Sequence, residues 1–385
     1  MEESFSWKII YFAAIFSLIV LGIAYYFISP RESTFFSEVK TEKIAEFKQT
    51  RVEGRKEGKP LWELRAVSGW TDKNQEITHL ENVSGGNIYN SAGKIAVSDL
   101  CAPRAQVFRR SEIVEAFGPL KADFDLGKFS SRPGEKNKWI KMTGNHIRYI
   151  PSDKRSELDT DLILSKKDSV VHAEKINVDH EKKIANITEK IRIIRKDGVI
   201  KADSIEYLGE AEQLNAAGNV NLALKEGRIK TFVKCNKGIL FLDAYRDISL
   251  SGSIEAAQGK KRSSAQDGTY SRKKNGLFLR GKTRTILEKG EKKELKEKTI
   301  VLAEEIFFST RNGDARATGS VEVTQKSREA RSDTAVYDEK RDILTLSGNV
   351  YMKEKERWIS CKKIIISVKK ETFEASGVSG ARFKL

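Results

Sequence analysis

The stretch KADSIEYLGEAEQLNAAGNV (Lys201 to Val220) aligns without a gap on RSDTAVYDEKRDILTLSGNV (Arg331 to Val350), and this repeat decides the fold. Each copy runs from a small residue through x-x-apolar-x-aromatic or aliphatic to a polar turn. An alternating strand follows, then Gly, a polar residue and Val. Looser copies are AEEIFFSTRNGDARATGSV (Ala303 to Val321), CNKGILFLDAYRDISLSGSI (Cys235 to Ile254) and CKKIIISVKKETFEASGV (Cys361 to Val378). AEKINVDHEKKIANITEKI (Ala173 to Ile191) keeps the strand pattern without the glycine. The marker glycines are Gly144, Gly218, Gly252, Gly281, Gly319, Gly348 and Gly377, so a unit is about thirty residues, and the interval from Gly144 to Gly218 reads as two units. The long interval before Gly319 contains EKGEKKELKEK (Glu288 to Lys298), whose charge run suits a solvated hairpin tip.

The dominant signal is therefore period-two alternation, and the expected fold class is all-β. Leu214, Val220, Leu222 and Leu224 share one parity in the first copy, as Leu344, Leu346, Val350 and Met352 do in the other. The opposite parity carries Gln213, Asn215, Asn219 and Asn221, or Thr345, Ser347 and Asn349. One dry and one wet face per strand excludes a parallel sheet covered by helices, whose strands would be apolar throughout. The dry faces must meet, as in two antiparallel sheets about 10 Å apart, a twisted jelly roll or open half-barrel. A solenoid stacking one unit on the next is the alternative. The glycine is placed on the dry face, where it allows a bend or a close backbone approach. At the expected strand spacing, ten to twelve strands per sheet span roughly 50 to 60 Å.

Of 385 residues, 70 are Lys or Arg and 54 are Asp or Glu, giving a formal charge of +16. Six Pro, 27 Gly and 39% hydrophobic residues exclude collagen-like, Pro-rich and multi-span membrane chains. Cys101, Cys235 and Cys361 are far apart and form no C-x-x-C pair, so neither a disulfide framework nor a Cys-based zinc site is legible. Cys235 and Cys361 stand in the slot that Ala173, Ala202 and Ala303 fill elsewhere, and read as small packing residues.

Catalytic motifs are missing: there is no phosphate-binding loop, no dinucleotide fingerprint, no H-E-x-x-H and no G-x-S-x-G. The histidines are His79, His146, His172 and His180; with no Cys or carboxylate cluster to complete a metal shell, they read as surface residues. Glu304 and Glu305 are adjacent on a strand and so are expected on opposite faces, unable to act together. Neither an enzyme nor a metal or other cofactor is expected, and function should lie in binding along the repeated surface. The positive charge asks for an acidic partner. It is spread over strand faces and turns without an aromatic RNA-binding motif, so a phosphorylated lipid fits better than nucleic acid.

Ile9 to Ile28 is an uncharged apolar run of twenty residues, enough for a helix to cross a ~30 Å hydrocarbon core once. It is longer than the apolar region of a cleaved signal peptide, and no A-x-A-like site precedes Pro30. Residues 1–8 are expected in the cytoplasm and the bulk of the chain on the far side, which in a bacterium is the periplasm.

An N-terminal anchor, the segment GRKEGKPLWELRA (Gly54 to Ala66) and repeated A-D-x-I-x-Y and A-G-N-V units together resemble the lipopolysaccharide transport family. Residues 34–191 resemble the anchored LptC domain and residues 192–385 the LptA, or OstA-like, domain. The A-G-N-V-type copies at Ala217 to Val220 and Ser347 to Val350 carry most of the likeness. In the family these two parts are commonly separate proteins; the resemblance implies that here they are fused. The resemblance implies a β-jelly roll open along one side, with lipid chains inside and sugar in water. It further implies loading by an inner-membrane ABC transporter and head-to-tail joining to further LptA-like or outer-membrane β domains through sheet edges.

Hiding one fourteen-carbon chain at ~0.8 kcal/mol per CH₂ is worth on the order of 10 kcal/mol, so a dry groove is required. Its expected lining is Trp62 and Leu64 near the membrane, then Ile205, Tyr207, Val220, Leu222, Leu279, Ile306, Phe308, Val321, Val323, Leu344, Leu346 and Val350. A closed core would give the same alternation. The last strand, with Arg382, Phe383, Lys384 and Leu385, is expected to leave an edge that accepts a partner strand. A structural β-repeat filament and a basic surface-polymer binder remain the competing classes.

Overall fold

The computed structural model describes residues 43–126, 139–166, 169–226, 229–242, 246–288, 298–368, 370 and 372–383. The cytoplasmic tail expected at 1–8, the membrane helix at 9–28, most of the charged insertion, Lys384 and Leu385 lie outside the described residues. Among the described residues no helix is long and apolar enough to cross a membrane. The main compact unit begins at Ala45, within the first strand. The described residues of this unit are all-β.

Its strands begin with β1 (Lys43–Lys56), β2 (Lys59–Asp72), β3 (Ile77–Tyr89), β4 (Ile95–Phe108), β5 (Ile113–Asp125), β6 (Trp139–Ile150) and β7 (Arg155–Lys166). There follow β8 (Ser169–Asp179), β9 (Ile184–Arg195), β10 (Gly198–Leu208), β11 (Gln213–Glu226), β12 (Ile229–Phe241), β13 (Ile248–Gln258) and β14 (Lys261–Ser271). The series ends with β15 (Gly276–Glu288), β16 (Lys298–Ser309), β17 (Ala315–Gln325), β18 (Arg328–Asp338), β19 (Ile343–Glu354), β20 (Arg357–Ser367) and β21 (Phe373–Arg382). Neighbours in sequence pair antiparallel, and all 21 strands belong to one sheet. The expectation of two separate sheets is thus corrected: one meander supplies both layers, because the strands bend in the middle.

The bend is a bulge recurring at the same place in the repeat. On β11, Gly218 (φ +71°) and Asn219 (φ +43°) are both left-handed, and the register to β10 and β12 shifts there. On β19, Gly348 (φ +78°) and Asn349 (φ +48°) do the same. The extra residue bends the strand and sharpens its twist. On the odd strands the buried residues are four apart across the bulge, Ala216 to Val220. On the even strands they are three apart, Ala202 to Ile205 or Cys235 to Gly238. Parity therefore flips on the even strands, which the reading of β11 and β19 alone did not reveal.

The glycine lies on the outer side of the bend and not on the dry face. A Cβ at Gly218 would come within 2.6 Å of the Asp203 carboxylate, and one at Gly348 within 2.4 Å of Asp333. The same carboxylates hold the next residue: Asn219 Nδ2 donates to Asp203 (2.7 Å) and Asn349 Nδ2 to Asp333 (3.0 Å). The A-D and G-N elements of the repeat are thus two ends of one bend-fixing contact. Where the glycine is missing, Glu189 (φ +63°) and Lys190 (φ +52°) still adopt the bend, and an ion pair of Lys190 with Glu174 (2.9 Å) replaces the Asn–Asp bond. Gly144 is not part of the bend series; it is buried on β6 in the small-residue slot that Ala173, Ala202 and Cys235 occupy on later strands. The counterparts of Gly218 in the earlier strands are Gly118, Thr160 and Glu189.

The bend also corrects the placing of Glu304 and Glu305. Both point outward, because the parity step falls between Ala303 and Ile306. Each has its own partner, Ser320 Oγ for Glu304 and Arg280 Nε for Glu305.

Candidate functional site: an apolar interior closed along a polar seam

The halves before and after the bend form two layers whose dry faces pack together. Leu126, Ile140, Leu164 and Val171, from β5 to β8 and the residue after β5, face Ala185, Ile187, Tyr207, Leu214 and Leu242, from β9 to β12 and the residue after β12. One layer of a strand thus lies over the other layer of a strand about four positions on. The buried faces join into a single apolar cluster running from Trp62 to Val368.

Every residue expected to line the interior is buried in that cluster, from Trp62 and Leu64 through Ile205, Tyr207, Val220 and Leu222 to Leu279, Ile306 and Phe308. Val321, Val323, Leu344, Leu346 and Val350 complete the set. Small residues make room locally. Trp62 lies against Gly54 and donates its indole N–H to the Glu112 carbonyl (2.9 Å), while Leu64 sits over Gly86 on β3. The interior is packed, however, rather than open: the void between the layers beside Tyr207 measures ~20 Å³, and a second, between Val323, Met352 and Phe373, ~10 Å³. The first is about the size of one water and far below an acyl chain.

What closes the interior is polar. The layers are continuous through the backbone at the bends, whereas along the opposite side, among the described residues, side chains bond one hairpin end to another. Arg195, fully buried, clamps Asp197 with two hydrogen bonds (3.0 and 2.9 Å) and donates to the Phe241 carbonyl (2.7 Å). Ser169 Oγ donates to the Leu242 carbonyl (2.9 Å), and Lys166 pairs with Glu212 (2.8 Å). Farther along, Gln258 Nε2 donates to the Ser309 carbonyl (3.0 Å), and buried Lys261 pairs with Glu339. Burial pulls the Lys261 ammonium below its ordinary pKa, partly offset by Glu339. Within the interior the Tyr207 hydroxyl is buried without a hydrogen-bond partner among the described residues, and burial raises its pKa. None of these long-range seam pairs could be read from periodicity.

Histidine placement needs one correction. His180 is buried, not on the surface: its Nε2 meets Ser156 Oγ (2.7 Å) and its ring stacks at 6.0 Å from Phe124 and edge-on at 5.9 Å from Tyr149. Burial pushes its pKa down to about 4, against the pull of Asp179 and Glu181. Burial likewise raises the Cys235 thiol to about 11 and lifts that of Cys361, which fits a packing role. At the C-terminal end, β21 pairs with β20 and, among the described strands, with no other; Arg382 ends it and Phe383 follows, 63% exposed.

The family model described as LptA/(LptD N-terminal domain) LPS transport protein matches residues 177–372, just over half of the chain. The chain belongs to this family. The match opens within β8 and closes just before β21, so it covers the bend-and-seam repeat in its most regular form. The LptA/LptD N-terminal family is one of transport domains and not of enzymes. Among curated protein sequences none matches the chain. Among solved structures, LptH, the LptA-homologous periplasmic component of the lipopolysaccharide transport device of Pseudomonas aeruginosa, is similar at 16% identity. The alignment covers 31% of this chain and 84% of that one, with a TM-score of 0.26.

Proposed function

We propose that the chain is an inner-membrane-anchored, periplasmic carrier of lipopolysaccharide. It receives the lipid from an ABC transporter and passes it between its two layers toward the outer membrane. Residues 9–28 form the anchor, residues 34–191 the LptC-like part and residues 192–385 the LptA-like part. Acyl chains lie among the buried residues from Trp62 to Val350, and the sugar stays outside. The free side of β21 takes the next β domain of the bridge by strand pairing.

The observation that supports this most is the asymmetry of the closure. The apolar interior continues from strand to strand, is bounded on one side by backbone bends, and on the other, among the described residues, is bridged by side-chain hydrogen bonds and ion pairs. Such a seam parts by rotation about the bends without unpairing the sheet. An acyl chain worth on the order of 10 kcal/mol of burial compensates the seam bonds that it displaces. The packed interior also favours a second reading, a β-repeat scaffold without cargo. Depletion of the chain in its host separates them: newly made lipopolysaccharide should accumulate in the inner-membrane fraction on a density gradient. Undiminished arrival at the cell surface would overturn the carrier reading.

A further inference from the structure

Among the described residues, the outer face of the sheet carries a concavity unrelated to the interior. Phe232 and Lys234 on β12, Glu255 and Ala257 on β13, Arg262 and Ser264 on β14, and Arg284 and Ile286 on β15 surround a space of about 340 Å³. The register puts them in two rows, Phe232–Ala257–Arg262–Ile286 and Lys234–Glu255–Ser264–Arg284. Small Ala257 and Ser264 make the floor. Exposed Phe232 on β12 and Ile286 on β15 close the first row at its two ends, and three cations face a single carboxylate.

Lys234, Arg262 and Arg284 make no ion pair among the described residues, whereas many other surface cations of this unit do, Arg280 with Glu305 and Arg331 with Glu322 among them. Position matters as much as charge. Arg262 is flanked by Lys261, and Ala257 by Gln258, the side chains that bridge the seam. The concavity therefore lies on the outside of one lip, next to the line along which the layers part.

We propose that this concavity binds the phosphorylated saccharide of the carried lipid. Two guanidinium forks and an ammonium suit phosphate oxygens, the Ser264 hydroxyl adds a donor, and the Phe232 ring suits the apolar face of a sugar. Naming the ligand as the lipid's headgroup rests on the carrier reading. On that reading the site holds the headgroup at the lip while the chains enter beside Lys261.

The test uses the full chain and a probe without acyl chains, so that it does not depend on the interior: fully deacylated lipopolysaccharide, its dephosphorylated counterpart, and inorganic phosphate, each titrated by calorimetry. The deacylated, phosphorylated probe should bind saturably and at least tenfold more tightly than either of the others. Arg262→Glu with Arg284→Glu should weaken it at least tenfold, whereas Lys353→Glu with Lys355→Glu, an equal charge change on exposed residues of the same sheet, should not. Ala257→Trp, which fills the space and keeps every charge, should also weaken it tenfold. Inorganic phosphate binding as tightly as the saccharide, equal losses in the control pair, or unchanged affinity in Ala257→Trp would each overturn the proposal. Failure here with lipid still in the interior would leave the carrier reading standing, and the converse result would remove the lipid but not the saccharide site.

Discussion

Protonating His180 should loosen the region where β5 and β6 pack against the β8–β9 turn. The folded pKa is about 4, and an unfolded or locally opened chain titrates near 6.5. Since the folded value is the lower one, the opened state binds the proton first as pH falls. Stability from the neutral, buried ring is complete above about pH 6.5 and is lost progressively down to about pH 4. A gap of roughly 2.5 units at ~1.36 kcal/mol each amounts to about 3 kcal/mol. The ring sits between Phe124, Tyr149 and Ser156, so the charge would have no solvent and only Asp179 and Glu181 nearby. Long repeat arrays do not unfold as one unit, so the readout must be local. Hydrogen exchange of peptides covering β8 and β9, corrected for intrinsic rates, gives the opening free energy at each pH. His180→Gln keeps an acceptor for Ser156 without titrating. The advantage of the native chain over this variant should shrink by about 3 kcal/mol between about pH 7 and about pH 4. An advantage independent of pH would refute the linkage.

Three other substitutions probe the bend, the seam and the interior. Gly348→Ala places a Cβ 2.4 Å from Asp333 at φ +78°, and should cost about 1–2 kcal/mol of local opening free energy, read by hydrogen exchange of β18 and β19; adding Asp333→Ala should recover part of that loss. Arg195→Ala strands the buried Asp197 carboxylate and the Phe241 carbonyl, so a loss of about 3–5 kcal/mol is expected, whereas Arg195→Met with Asp197→Leu should restore most of it. Tyr207→Phe deletes a buried hydroxyl that has no partner among the described residues, and the lipid-free protein should gain about 1 kcal/mol.

The all-β class and the identity of the buried residues were legible because alternation and the thirty-residue repeat are local signals. Leu214, Leu222, Leu344 and Leu346 are inside, as their parity demands. The single bent sheet was not legible, since a left-handed bend leaves a trace in sequence only where glycine occupies it. At Thr160 (φ +68°) and Glu189 (φ +63°) ordinary residues take the same conformation. Gly144 misled for the converse reason: it is small for packing, not for its backbone. The seam joins residues far apart in the chain, such as Lys166 with Glu212 and Lys261 with Glu339, and their charges look like the solvated turns around them. His180 reads as a turn residue until Phe124 and Tyr149 are seen to cover it.

The central claim is that lipid passes between the layers, and site-specific photocrosslinking in living cells tests it most directly. A light-activated residue replaces Val220 or Leu346, both buried between the layers, or Asn219 or Thr345, which point away from them. Lipopolysaccharide adducts from Val220 and Leu346, and none from Asn219 and Thr345, are the predicted result. Protein self-crosslinks with no lipid adduct at any of the four positions would contradict it.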